Sequence, residues 1–158
     1  TGSAFITYTV QDNTGATSTT GRWTVSIGPV AVDDAVSIAY NAASVAVNIT
    51  TNDPDVTIIN RASVDLDPAT PGFQTSYDVP GQGTFSVTGL TGVVTFAPSG
   101  TFAGTTSVQY TVNDNQGNRS NVATFTVTTT TTAPVATADD VTTPPNTPVT
   151  VSVTAVGV

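Results

Sequence analysis

Ser107–Ser120 reads SVQYTVNDNQGNRS, and Phe5–Ser18 reads FITYTVQDNTGATS. Tyr8, Thr9, Val10, Asp12, Asn13, Gly15 and Ser18 recur 102 residues later as Tyr110, Thr111, Val112, Asp114, Asn115, Gly117 and Ser120. Each stretch is an alternating strand that runs into an Asp/Asn/Gly turn, the pattern of one arm of a β-hairpin. The register continues outward, with Gly2 on Gly104, Trp23 on Phe125 and Val25 on Val127. Trp23 is therefore expected in a core. A second echo follows, in which Pro29-Val30-Ala31 with Asp33-Asp34 returns as Pro134-Val135-Ala136 with Asp139-Asp140. Val45, Val47 and Ile49 then return as Val149, Val151 and Val153. Self-similarity at this spacing marks a repeat architecture. Residues 1–28 read as the C-terminal strands of a preceding repeat, 29–133 as a complete repeat, and 134–158 as the N-terminal strands of a following one. Both ends fall inside a repeat, as expected of a window on a longer tandem array.

Composition fixes the class. Among 158 residues there are 34 Thr and 24 Val, whose branched Cβ atoms are stiff in a helix and pack well on a pleated surface. All 11 acids are Asp and all 3 bases are Arg, so the Glu and Lys that normally cover helix surfaces are missing. The chain is all-β. Without Cys or His it forms no disulfide, offers no thiolate nucleophile or histidine base, and lacks the usual zinc ligands. The absence of Lys excludes a Lys–Asn cross-link, a Schiff base and a P-loop. A net charge of −8 argues against nucleic acid as a partner. No apolar run approaches the roughly 18 residues of a membrane span, so no membrane insertion is expected in this segment.

Within the complete repeat, Val36, Ile38 and Tyr40 share one strand face, and Val45, Val47 and Ile49 line a second. Further strands are expected over about Val56 to Val64, Phe73 to Val79, around Phe85 and Val87, and around Val94 and Phe96. Val108, Tyr110 and Val112 form another, and Ala123, Phe125 and Val127 the last. Tyr110 and Phe125 are expected to be buried and paired across the final ladder. Seven or eight short strands in about 105 residues fit an immunoglobulin-like antiparallel β-sandwich, repeated in tandem, with PSGTFAGT as the crossover between the sheets.

The segments PVAVDD, VAVNITTNDPD, VDLDPATPGFQTSYDVPGQGTFSV, VVTFAPSGTFAGT and YTVNDNQGNRSNVATFTV cover nearly all of Pro29 to Val127. They resemble the tandem immunoglobulin-like or cadherin-like repeats of giant bacterial cell-surface adhesins, especially those of Bacteroidetes, among them the gliding-motility adhesin. The resemblance implies an extracellular, cell-surface location and a role in attachment or gliding. One departure stands out: such repeats commonly carry a longer acidic loop after NDPD, whereas here Asp55 runs directly into Val56. In the third copy the corresponding stretch reads TAVGV, without acids.

The acids are the candidate site. In an immunoglobulin-like topology, the start of the first strand, the loop between the second and third strands, and the loop between the last two lie at one end. These carry Asp33, Asp34, Asp53, Asp55 and Asp114, with Asn52 and Asn115. Two readings stand. The five carboxylates could hold calcium, which takes six to eight oxygen ligands. Alternatively, each Asp or Asn caps a local turn and no cofactor is needed. The shortened loop favours the second.

No catalytic constellation is expected. Asp65 and Asp67 share a strand face, but they lead into a turn with no aromatic platform for a sugar. Asn48-Ile49-Thr50 and Asn118-Arg119-Ser120 match the glycosylation pattern, which arises readily in a Thr- and Ser-rich chain. Two functions remain: a structural stalk or spacer repeat presenting a distal adhesive module, or a repeat that itself binds glycan, matrix or a partner chain through loops or a sheet edge. Neighbouring repeats of the same chain, and other copies of the filament, are the expected partners. The five threonines Thr128 to Thr132, closed by Ala133-Pro134, give a semi-rigid joint whether they act as a linker or extend the last strand.

Overall fold

The computed structural model describes residues 2–100, 102–131, 135, 136, 138 and 140–152. Of the third-copy matches, Pro134, Asp139 and Val153 lie outside the described residues, as does the boundary residue Ala133. Ten strands form: β1 (Gly2–Tyr8), β2 (Gly21–Ile27), β3 (Asp34–Ala39), β4 (Val45–Asn48), β5 (Ile59–Asp65), β6 (Ser76–Val79), β7 (Gly83–Thr88), β8 (Val93–Pro98), β9 (Gly104–Asp114) and β10 (Ala123–Thr130). No helix is found among the described residues, so none is long and apolar enough to cross a membrane.

β3 to β10 make a sandwich of two four-stranded sheets, ordered β3-β10-β9-β5 and β4-β8-β7-β6. β8 ends at Pro98 in one sheet and β9 begins at Gly104 in the other, so the crossover falls where the sequence places it. Alternation places Phe85, Val94, Phe96, Val108, Tyr110, Val112, Phe125 and Val127 on the inner faces, where all are buried. Aromatic rings tie the layers together: Phe85 lies 4.5 Å from Phe96 within one sheet. It also meets Phe125 of the opposite sheet edge-on at 5.7 Å.

One pairing departs from the antiparallel pattern. β3 runs parallel to β10, in register from Asp34 opposite Phe125 to Ala39 opposite Thr130. The first and last strands of the sandwich therefore point the same way, and the chain enters at one pole and leaves at the other. Thr128 to Thr130 belong to β10, so this part of the threonine run extends the last strand.

Four expectations are corrected. Tyr110 and Phe125 are both fully buried, but Tyr110 stands opposite Ala123 and Phe125 opposite Val108. The strand expected from Val56 begins at Ile59, because Val56 and Ile58 donate back to the Asp53 and Asp55 carbonyls in consecutive turns. Trp23 is 64% exposed. It lies in a separate two-stranded sheet, β1-β2, which no second sheet covers among the described residues. Finally, Val141–Ser152 forms no strand, although its turn at Asn146 (φ 64°) matches the left-handed turn at Asn41 (φ 63°).

Candidate functional site: the inlet joint

The segment that leads from β2 into the sandwich is bonded by side chains at successive residues. Val30 N donates to Asp55 Oδ2 at 3.3 Å. Ala31 N donates to Asn121 Oδ1, and Asn121 Nδ2 donates back to the Ala31 carbonyl, both at 2.9 Å. Val32 N donates to Asp53 Oδ1 at 2.8 Å. The Asp33 carbonyl accepts from Asn52 Nδ2 at 3.1 Å. Asp33 itself accepts from Thr124 N at 2.8 Å, pinning the segment to the start of β10. Pro29 and Ala31 are buried beneath these contacts. Gly28 completes the joint, since a Cβ there would overlap the Arg119 carbonyl oxygen.

The loop from β4 to β5 supplies most of the clamp because it is itself fixed. Asn48 Oδ1 accepts from both the amide and the hydroxyl of Thr50, at 3.1 and 2.9 Å. The turns at Asp53 and Asp55 then face Asn52, Asp53 and Asp55 toward the incoming chain.

The acids divide into two groups. Asp33, Asp34, Asp53 and Asp55 sit around the inlet. Asp114 serves its own turn, where Oδ1 accepts from the amides of Gln116 and Asn118 at 2.9 and 2.8 Å and Oδ2 from the Asn118 side chain at 2.8 Å. These bonds, the Asn118 side chain first, hold the Asp114 carboxyl below the ordinary carboxylate range. Asn115 is exposed, with its backbone amide on the Ile58 carbonyl.

At the inlet the opposite shift prevails. Burial, against the Tyr110 hydrogen bond and reinforced by Asp53 and Asp33, pushes Asp34 up to about 6. Burial also raises Asp53, despite the Val32 amide and with Asp55 adding repulsion. Asp53 is 3% exposed, and its Oδ2 is buried without a partner. Among the described residues, no three acidic side chains group closely enough to hold a metal ion. Of the carboxylates that the sequence marks for calcium, Asp33, Asp53, Asp55 and Asp114 accept from main-chain amides, and Asp34 accepts from the Tyr110 hydroxyl.

Asp65 is buried and accepts from the amides of Asp67 and Gln74, each at 3.1 Å, with Arg119 paired to its other oxygen at 3.4 Å. Asp67 accepts from the Thr70 hydroxyl at 2.6 Å. Both are turn-capping groups. Asn121 and Gly28 are residues of the joint that spacing alone does not reveal; the Gly-Pro dipeptide before the first strand is the one local signal of a tight approach.

The arrangement ties the incoming segment to the sandwich: side chains of Asn52, Asp53, Asp55 and Asn121 bond the main chain of residues 30–33. No curated protein is similar enough to this chain to count as a relative. The family model described as bacterial Ig domain matches residues 27–130, spanning the joint and the whole sandwich. The chain belongs to the bacterial Ig domain family.

Proposed function

We propose that this chain is a spacer repeat of an extracellular stalk, part of a cell-surface adhesin or filament that holds a distal adhesive module away from the cell. In the gliding adhesins that the sequence resembles, such a stalk supports attachment and movement. The parallel pairing of β3 with β10 carries the reading. Inlet and outlet lie at opposite poles, so successive copies add length along one axis without enlarging any core. The clamp at Val30–Asp33 supports it further, because a segment bonded at consecutive residues transmits direction where a free linker would not. The sites named so far bind the chain to itself, which fits a structural role better than catalysis.

Residual dipolar couplings measured separately on the β1–β2 hairpin and on the sandwich test this. One common alignment tensor is expected for the unaltered chain, separating into two when Asp53 and Asn121 are both replaced by Ala. Two independent tensors in the unaltered chain would remove the stalk reading. Saturable binding on glycan or matrix arrays would favour a repeat that is itself a binding module.

A further inference from the structure

β1 and β2 pair in the same register as β9 and β10. The rungs from Gly2–Ile27 to Tyr8–Gly21 fall one for one on those from Gly104–Thr129 to Tyr110–Ala123. The turns agree as well. Asp12 Oδ1 accepts from the amides of Thr14 and Ala16, both at 2.9 Å, as Asp114 Oδ1 does from Gln116 and Asn118. Val10 N and Val112 N both donate to a serine hydroxyl, Ser18 or Ser120, at 3.1 Å.

Burial is where the two hairpins part. Directly paired residues share a face, so Ile6, Tyr8, Trp23 and Val25 form one apolar surface, flanked by Ala4. They are 58%, 52%, 64% and 49% exposed. Their counterparts Val108, Tyr110, Phe125 and Val127 are at most 3% exposed, covered by the sheet that carries Phe85 and Phe96. The other hairpin face is capped by Arg22 lying 3.9 Å over the Phe5 ring.

We propose that the Ile6–Trp23–Val25 face is the docking surface for a four-stranded sheet from another copy of this repeat, upstream on the same polypeptide. That sheet closes on β1 and β2 as β4, β8, β7 and β6 close on β9 and β10. The inference rests on the tandem-repeat reading above and names what covers the hairpin. A second hairpin of the same kind is a poor occupant. Two seven-residue strands span about 23 Å by 10 Å, well short of the roughly 800 Å² per partner of a stable interface. A sheet on the same polypeptide docks intramolecularly and escapes that limit. Trp23 stands where Phe125 stands in the complete copy, so the covering sheet must offer more room there than Phe85 leaves.

The chain holds one tryptophan, Trp23, at the centre of this face. Its own residues 29–103, fused ahead of Gly2, place the proposed sheet upstream in register. In the unextended chain, acrylamide should quench Trp23 freely. In the extended chain, quenching should fall several-fold, the emission should shift to the blue, and the β1–β2 amides should gain hydrogen-exchange protection. A Trp23→Phe form of the extended chain, read by amide exchange alone, removes the excess volume if the first fusion packs poorly. Unprotected β1–β2 amides in both fusions would overturn the proposal, as would a concentration-dependent blue shift in the unextended chain. A covered hairpin whose alignment tensor differs from that of the sandwich would leave this proposal standing and remove the stalk.

Discussion

The Tyr110 hydroxyl lies 2.8 Å from Asp34 Oδ2 and has one proton to give. The Val32 carbonyl at 2.8 Å and the Ile49 carbonyl at 3.2 Å compete for it. Asp34 thus shares a single proton with two carbonyls when ionised, and burial raises its carboxyl.

Stability should therefore fall as pH rises from 3.8, the ordinary value for Asp34, through about 6, its value in the fold. A raised carboxyl favours the folded state while protonated and loses that contribution once ionised. The shift corresponds to at most about 3 kcal/mol, and partial solvation of Asp34 reduces it to about 1–2 kcal/mol. Asp114 and Asp12, both lowered, act in the other direction and lose their contribution below 3.8. Melting temperature should peak between these limits, and Asp34→Asn should flatten the decline toward neutrality. A maximum at pH 7 or above in the unaltered chain would contradict the assignment.

Asp53→Asn keeps an acceptor for Val32 N and removes a buried charge that has no partner at Oδ2. A gain of about 0.5–1 kcal/mol at pH 7 is expected, larger at low salt. Asp53→Ala also loses the Val32 bond and should cost about 1–2 kcal/mol. Thermal melts with calcium and with chelator decide between this reading and a metal: a calcium-dependent rise abolished by Asp53→Asn would place an ion at Oδ2.

Phe125→Ala should cost about 3–5 kcal/mol by opening a cavity against Phe85. The equivalent Trp23→Ala should change stability by less than about 0.5 kcal/mol, because the indole is solvent-exposed in this chain. Urea denaturation of both variants compares the same repeat position covered and uncovered.

Gly28→Ala should displace the hairpin while leaving the sandwich intact, since the new methyl meets a backbone carbonyl that cannot swing aside. The sandwich melting temperature should hold within a few degrees as the dipolar couplings of β1–β2 change. A uniform loss of stability would mean that the glycine serves the core.

Alternation told which residues face inward, and Val108, Tyr110, Phe125 and Val127 do. It could not tell which residues oppose each other, because a slip of two positions leaves every face unchanged. Tyr110 meets Ala123 for that reason. Nor does an alternating pattern carry strand direction, so the parallel run of β3 beside β10 had no signature. β5 hides an irregularity between Asn60 and Asp65, where Ser63 Oγ accepts from Asn113 N at 2.7 Å and stitches the bulge to β9. That Asp33, Asp34, Asp53 and Asp55 meet at the inlet was legible from topology, whereas Asp114 caps its own turn. The partners of the inlet acids were not, since Val30 and Val32 contribute main-chain amides that any sequence would possess.

The shared direction of β3 and β10 also decides how the sandwich meets a pull. Tension applied through Val30 and Thr131 drags the two strands in opposite senses along their length. Every rung from Asp34–Phe125 to Ala39–Thr130 then lies across the load and bears part of it, whereas a hairpin pulled from its open end yields one rung at a time. Detachment becomes a concerted event timed by the unfolding rate. Pulled by its two ends in a single-molecule trap, the sandwich should give way in one abrupt step.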